Sequence, residues 1–128
     1  MAVVKLKEFT DASERTRALY SAVQDKYGVV PNFIKAMGSN PAFLEAMLHM
    51  HAAVFDGGAI PQKYKNLIAL AVSMTNGCQY CTSSFTAHSQ LTDATEEELE
   101  ETRAIVALLS AYNKYLSSSG IACDITPA

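Results

Sequence analysis

With 128 residues, 49% of them hydrophobic, the chain is long enough for one compact domain (1–128) with a real core and too short for two. A net charge of −3 leaves no basic footprint for nucleic acid, and the one dense charge run, the acidic EEELEE, points away from it too. The N-terminal MAVVKLKEFT lacks the apolar core and small-residue cleavage site of a secretion signal, and no apolar run approaches the roughly 20 residues of a membrane span. The expectation is a soluble, cytoplasmic protein with neither nucleic acid nor membrane as a partner.

Taken in chain order, almost every segment has helical period and none alternates as a strand does, which predicts an all-α fold of about six helices. The first helix is expected over 13–27, capped by Thr10 or Asp11 and stopped at Gly28. Pro31 opens a short second helix that GSNP closes. A third runs from Pro41 to Phe55. Its stripe Leu44, Leu48, His51 and Phe55, with the adjoining Phe43, Met47, Met50 and Val54, marks the expected buried side. After the turn DGGAIP, Pro61 starts a fourth helix, QKYKNLIALAVSM, that is apolar around most of its circumference. Lys63 and Lys65 read as its solvated start. TNG interrupts it and a cysteine-bearing fifth helix begins. Thr95 with Glu98 forms a capping box for a sixth, ending near Leu116, and 117–128 read as a polar tail. The apolar surplus of the helices predicts a closed homo-oligomer.

Chemistry concentrates in NGCQYCTSSFTAHSQ. Gly77 permits a sharp entry into the fifth helix and places Cys78 and Cys81 on its first turns, facing one way. Cβ atoms three residues apart on a helix lie roughly 5–6 Å from each other, within a modest adjustment of disulfide geometry. The positive end of the helix dipole favours thiolate there, and by that argument alone Cys78 is the more acidic thiol. Three readings follow from the residues: a redox pair, two packed thiols, or half of a zinc site that His51, His88 or Cys123 would have to complete. With 3 cysteines in all, the chain cannot pair every thiol internally.

The segments VVPNF, NPAFLEAMLHMHAAVF, GGAIPQKYKNLIALAVSMTNGCQYC and DATEEELEE, in this order and spacing, resemble the carboxymuconolactone decarboxylase family in its AhpD-like alkylhydroperoxidase branch. The resemblance implies an all-helical subunit, trimers or hexamers, and thiol-dependent reduction of hydroperoxides as an antioxidant activity. Cys81 would be the peroxidatic thiol and Cys78 the resolving one, the reverse of the order that the dipole suggests. It further implies recharging by an external dithiol, lipoyl or thioredoxin-like, with no metal, flavin or other cofactor.

The resemblance breaks at the proton relay. The family's glutamate, twelve residues before the first cysteine, is Asn66 here, and its histidine, four residues after the second, is Phe85. Neither side chain takes up a proton near neutral pH. His51, which interrupts an apolar stripe, is either a hydrogen-bonded core or interface residue or a substitute base. His88 is either a half-exposed surface histidine or a base about 10 Å of helical rise from Cys81, too far for a direct bond. Tyr80 packs or lines the pocket. The function expected is a thiol-dependent peroxidase or disulfide oxidoreductase with an altered relay. The alternatives are a non-enzymatic redox sensor or assembly module, and a carboxymuconolactone decarboxylase-like enzyme.

Overall fold

The structure, a computed structural model, describes residues 3–125 and Pro127. A 3-10 turn at Phe9–Asp11 precedes α1 (Glu14–Tyr27), α2 (Asn32–Met37), α3 (Pro41–Phe55), α4 (Gln62–Thr75), α5 (Gln79–Leu91) and α6 (Glu96–Ser119). The fold is all-α, with no strand among the described residues. Contacts gather the chain into two compact units, Met1–Asp56 with α1 to α3 and Gly57–Ala128 with α4 to α6. No helix among the described residues is long and apolar enough to cross a membrane.

In the first unit α1 and α2 both pack against α3. The cap of α1 is Ser13, whose hydroxyl accepts the Thr16 N–H at 3.1 Å; Thr10 and Asp11, the expected caps, are used up in the 3-10 turn. Gly28 ends α1 in the left-handed region at φ 78°, which a residue with a Cβ enters only at a cost. Ala12, Tyr20, Val23, Ile34 and Leu44 form the core, with Leu19, Val30, Met37 and Leu48 packed around it. Two buried hydroxyls tie this core to the backbone. Thr16 donates to the Gly38 carbonyl at 2.9 Å, and Tyr20 donates to the Lys7 carbonyl at 2.8 Å. Each satisfies a polar group that burial would otherwise penalise.

The expected burial of α3 needs correction. Leu44 is fully buried and Leu48, His51 and Phe55 are half-buried, as the first stripe predicts, but Phe43, Met47, Met50 and Val54 are 37–60% exposed. Helical period identifies an apolar face and does not say what covers it.

In the second unit α4 packs against both α5 and α6. Its buried residues, Asn66, Leu70 and Ser73, fall at i, i+4 and i+7 and so form a single stripe. Ser89 of α5 and Leu99 of α6 are also fully buried. The capping box of α6 forms as predicted: Thr95 Oγ1 accepts the Glu98 N–H at 3.1 Å, and the Glu98 carboxylate accepts the Thr95 N–H at 2.8 Å. Lys63 is no free solvated lysine. Its ammonium lies 2.6 Å from Glu98, and Lys65 donates to the Gly57 carbonyl. The Lys63 ammonium and the Thr95 N–H hold the Glu98 carboxyl below the usual carboxylate range, and the bond to Glu98 raises Lys63. The sixth helix runs to Ser119, one turn past the expected end, so the first part of the tail is helical. Its later apolar residues, Ile105, Leu108, Leu109, Tyr112, Tyr115 and Leu116, are all exposed.

Gly38 offers a sharp test of the first core. Its φ is ordinary, so its role is steric: a Cβ there would sit 1.9 Å from the Tyr20 hydroxyl and 3.0 Å from Lys7 Cβ. Tyr20 is 1% exposed and cannot swing aside without losing its bond to Lys7. Gly38→Ala is expected to cost about 1–3 kcal/mol in urea unfolding, as overpacked cores do. Tyr20→Phe in the same chain should relieve part of that loss, since it removes the atom in the way.

Candidate functional site

The site begins where α4 ends. Gly77 adopts φ 71°, and two hydrogen bonds close the helix behind it: Gly77 N–H to the Met74 carbonyl at 3.2 Å and Cys78 N–H to the Ser73 carbonyl at 3.0 Å. This is the paired pattern of a Schellman motif, which requires the left-handed residue that glycine supplies. Cys78, the last residue of that motif, is also the N-cap of α5. Its Sγ accepts the Cys81 N–H at 3.2 Å, doing with sulfur what a serine or aspartate oxygen does at other helix starts.

Cys78 and Cys81 are joined as a disulfide, with Cα atoms 5.3 Å apart, inside the ordinary range for such bridges. Both are half-buried. The expected position of Cys78 near the first turn becomes the cap itself, and Cys81 stands one turn in. After reduction, the Cys81 N–H and the helix start would favour negative charge on the Cys78 sulfur.

Asn66 is buried, 4% exposed, and two of its three bonds are made at the far end of α5, the third within α4. Its Nδ2 donates to the His88 carbonyl at 3.2 Å and to Thr92 Oγ1 at 3.1 Å, and its Oδ1 accepts from Gln62 Nε2 at 3.2 Å. Thr92 closes the same turn, its hydroxyl 2.9 Å from the His88 carbonyl and its N–H 3.2 Å from it. Asn66 is therefore a clasp between α4 and the last turn of α5, its partners Gln62, His88 and Thr92 and neither cysteine. Phe85 is half-buried, with its ring centroid 5.9 Å from that of His88 at a 55° tilt.

His88 is exposed, and its Nδ1 lies 3.4 Å from Ser84 Oγ. Tyr80 is 47% exposed and lines a shallow concavity of about 630 Å³ with Gln79, Ser83 and Ser84. His51 belongs to the first unit, half-buried and stacked on Phe55 with ring centroids 4.8 Å apart. Cys123 is an exposed free thiol whose Sγ is 3.4 Å from the Ile125 carbonyl. Among the described residues no three His, Cys, Asp or Glu side chains gather as a metal site would need. The residue that sequence reasoning missed is Ser84. Its place three residues after Cys81 and four before His88 was the available signal.

An all-helical chain whose paired cysteines open a helix after a glycine break defines a class of CxxC proteins. The model of the carboxymuconolactone decarboxylase family matches residues 41–123, and the chain belongs to that family. Within it the chain is AhpD-like. It superposes on the alkylhydroperoxidase AhpD core of Rhodospirillum rubrum with a TM-score of 0.88 at 27% identity, over 97% of this chain and 95% of that one. None of the curated proteins matches it.

The clasp can be tested by an isosteric change. Asn66→Asp replaces the Nδ2 donor with a carboxylate oxygen facing the His88 carbonyl, and we expect a loss of about 1–3 kcal/mol at pH 7 by urea titration. Burial and that carbonyl raise the new carboxyl above its unfolded value near 3.9, because only the protonated form can donate. The folded variant therefore binds more protons than its unfolded chain between the two values, and the deficit should shrink as pH falls through that window. A deficit that stayed constant from pH 7 to pH 4 would contradict this account of Asn66.

Proposed function

We propose that the chain is a thiol-dependent hydroperoxidase or disulfide oxidoreductase that cycles between the Cys78–Cys81 dithiol and its disulfide. The observation that carries the reading is the pair itself, bridged at the start of α5 and half-buried, within reach of both a small oxidant and a dithiol. Family membership and likeness to an alkylhydroperoxidase core support it. In the first half-reaction the Cys81 thiolate attacks the terminal oxygen of ROOH. The S–O bond forms, the O–O bond breaks, and the departing alkoxide takes a proton and leaves as ROH. Cys78 then attacks the sulfenic sulfur, closing the disulfide and releasing water. A dithiol, lipoyl or thioredoxin-like, reduces the disulfide by two exchange steps and restores both thiols.

The cap geometry bears on the division of labour. The bond from the Cys81 N–H to Cys78 Sγ favours charge on Cys78, whereas the family order assigns attack to Cys81. The order follows the family here, because a resolving thiol also gains from being easily ionised. A redox sensor is the second reading. Its support is that the two positions at which relatives carry a base hold a structural amide and a phenyl ring.

Two experiments decide. With cumene hydroperoxide in stopped flow, Cys78→Ser should form a trappable sulfenic acid at Cys81 and no intramolecular disulfide, and Cys81→Ser should lose rapid oxidation. Sulfenic acid on Cys78 in the second variant would reverse the roles, and inertness of the wild-type dithiol toward peroxides would leave the sensor.

The assembly proposed is a homo-oligomer, trimer or hexamer, supported by the open apolar residues of α3, α4 and α6, among them Met50, Ile68 and Leu108. Light scattering at micromolar concentration should return a multiple of the 13.8 kDa chain, and a monomer would refute it.

A further inference from the structure

We propose that Ser84 and His88 form a proton route for Cys81, taking the place of the acid and histidine that this chain lacks; the proposal rests on the peroxidase reading above. Side chains on a helix lean toward its N-terminus, so each covers the residue one turn before it. Ser84 stands one turn beyond Cys81, and His88 one turn beyond Ser84. The hydroxyl is thus placed between a thiol and an imidazole that cannot reach each other directly. The second link is observed: Ser84 Oγ lies 3.4 Å from His88 Nδ1. That separation is long, as the hydrogen bonds of resting sites often are before the reacting atoms arrive.

The surroundings hold the backbone at His88. Asn66 Nδ2, Thr92 Oγ1 and the Thr92 N–H all reach its carbonyl, which holds the backbone of that turn. The Phe85 ring stands beside the imidazole, 5.9 Å between centroids. The two positions that depart from the family pattern, Asn66 and Phe85, are therefore both neighbours of His88, one bonded to its backbone and one beside its ring. Ser84 also borders the concavity beside Tyr80, where the organic group of a hydroperoxide could rest.

The step balances without any further reagent. In the tautomer with its proton on Nε2, His88 Nδ1 takes the Ser84 hydroxyl proton as Ser84 Oγ takes the Cys81 thiol proton, leaving thiolate and imidazolium. When Cys81 sulfur bonds the terminal peroxide oxygen and the O–O bond breaks, the same route returns one proton to the alkoxide, which leaves as the alcohol. On this route Ser84 is the group that meets the Cys81 thiol once the disulfide to Cys78 is reduced. His88 acts through it and is a positioning and proton-holding residue.

The test reads thiol reactivity apart from peroxide chemistry. In a Cys78→Ser chain, iodoacetamide alkylation at pH 7 with peptide mass mapping gives the rate at Cys81 relative to the exposed Cys123 in the same molecule. We expect Ser84→Ala and His88→Ala each to lower that ratio by about tenfold or more. The double variant should fall no further, because the two act as one route. Ser84→Thr should keep the ratio, and free imidazole should restore His88→Ala but not Ser84→Ala. A ratio indifferent to either replacement, or losses that simply add, overturns the proposal. If the ratio falls as expected while cumene hydroperoxide leaves Cys81 unoxidised, the route stands and the peroxidase reading fails.

Discussion

The second unit depends on one backbone event, the left-handed turn at Gly77. It lets the Met74 and Ser73 carbonyls of α4 find donors in the N–H groups of Gly77 and Cys78, which closes the end of the helix. The residue that completes this closure, Cys78, is the one that opens α5 and caps it with sulfur. A side chain at position 77 would resist φ 71°, although nothing crowds a Cβ there. The constraint is conformational and not steric. The cysteines owe their spacing and facing to it, because the cap fixes where the first turn starts and therefore where a residue three further on must point.

The same hairpin is secured at its other end by a polar contact. Asn66 is buried on α4, and its donors and acceptor are all used, which is the condition under which a buried amide stabilises and does not cost. An acid at this position would need a different neighbourhood, since the His88 carbonyl offers it no donor. Position 66 in this chain is thus a structural one, joining α4 to the end of α5. Phe85 likewise packs, its ring beside that of His88.

The apolar surface left open by each unit has a different origin. Met47 and Met50 on α3, Ile68 and Val72 on α4, and Leu108 and Tyr112 on α6 lie on faces opposite or beside the buried stripes. Each helix is apolar over a wider arc than its own unit covers. Burial of such area is favourable by about 25 cal/mol per Å², so these faces constitute a reserve of binding energy that the single chain does not use.

The local rules were enough for the sequence by itself to determine the helices and several of their ends. Pro31, Pro41 and Pro61 open helices, Gly28 closes one, and Thr95 with Glu98 caps another, because these act through backbone conformation and hydrogen bonds within four residues. The CxxC and its approach were legible for the same reason. The first cap was misplaced by two or three residues because Thr10 and Asp11 belong to a 3-10 turn, which leaves no periodic trace. What only tertiary structure decided is which partners lie far apart in sequence. Asn66 meets His88 and Thr92, Lys63 meets Glu98, and Thr16 meets Gly38, pairings set by how helices pack and invisible to a window of one helix. Period locates an apolar or polar face; the chain that folds against it decides what the face holds.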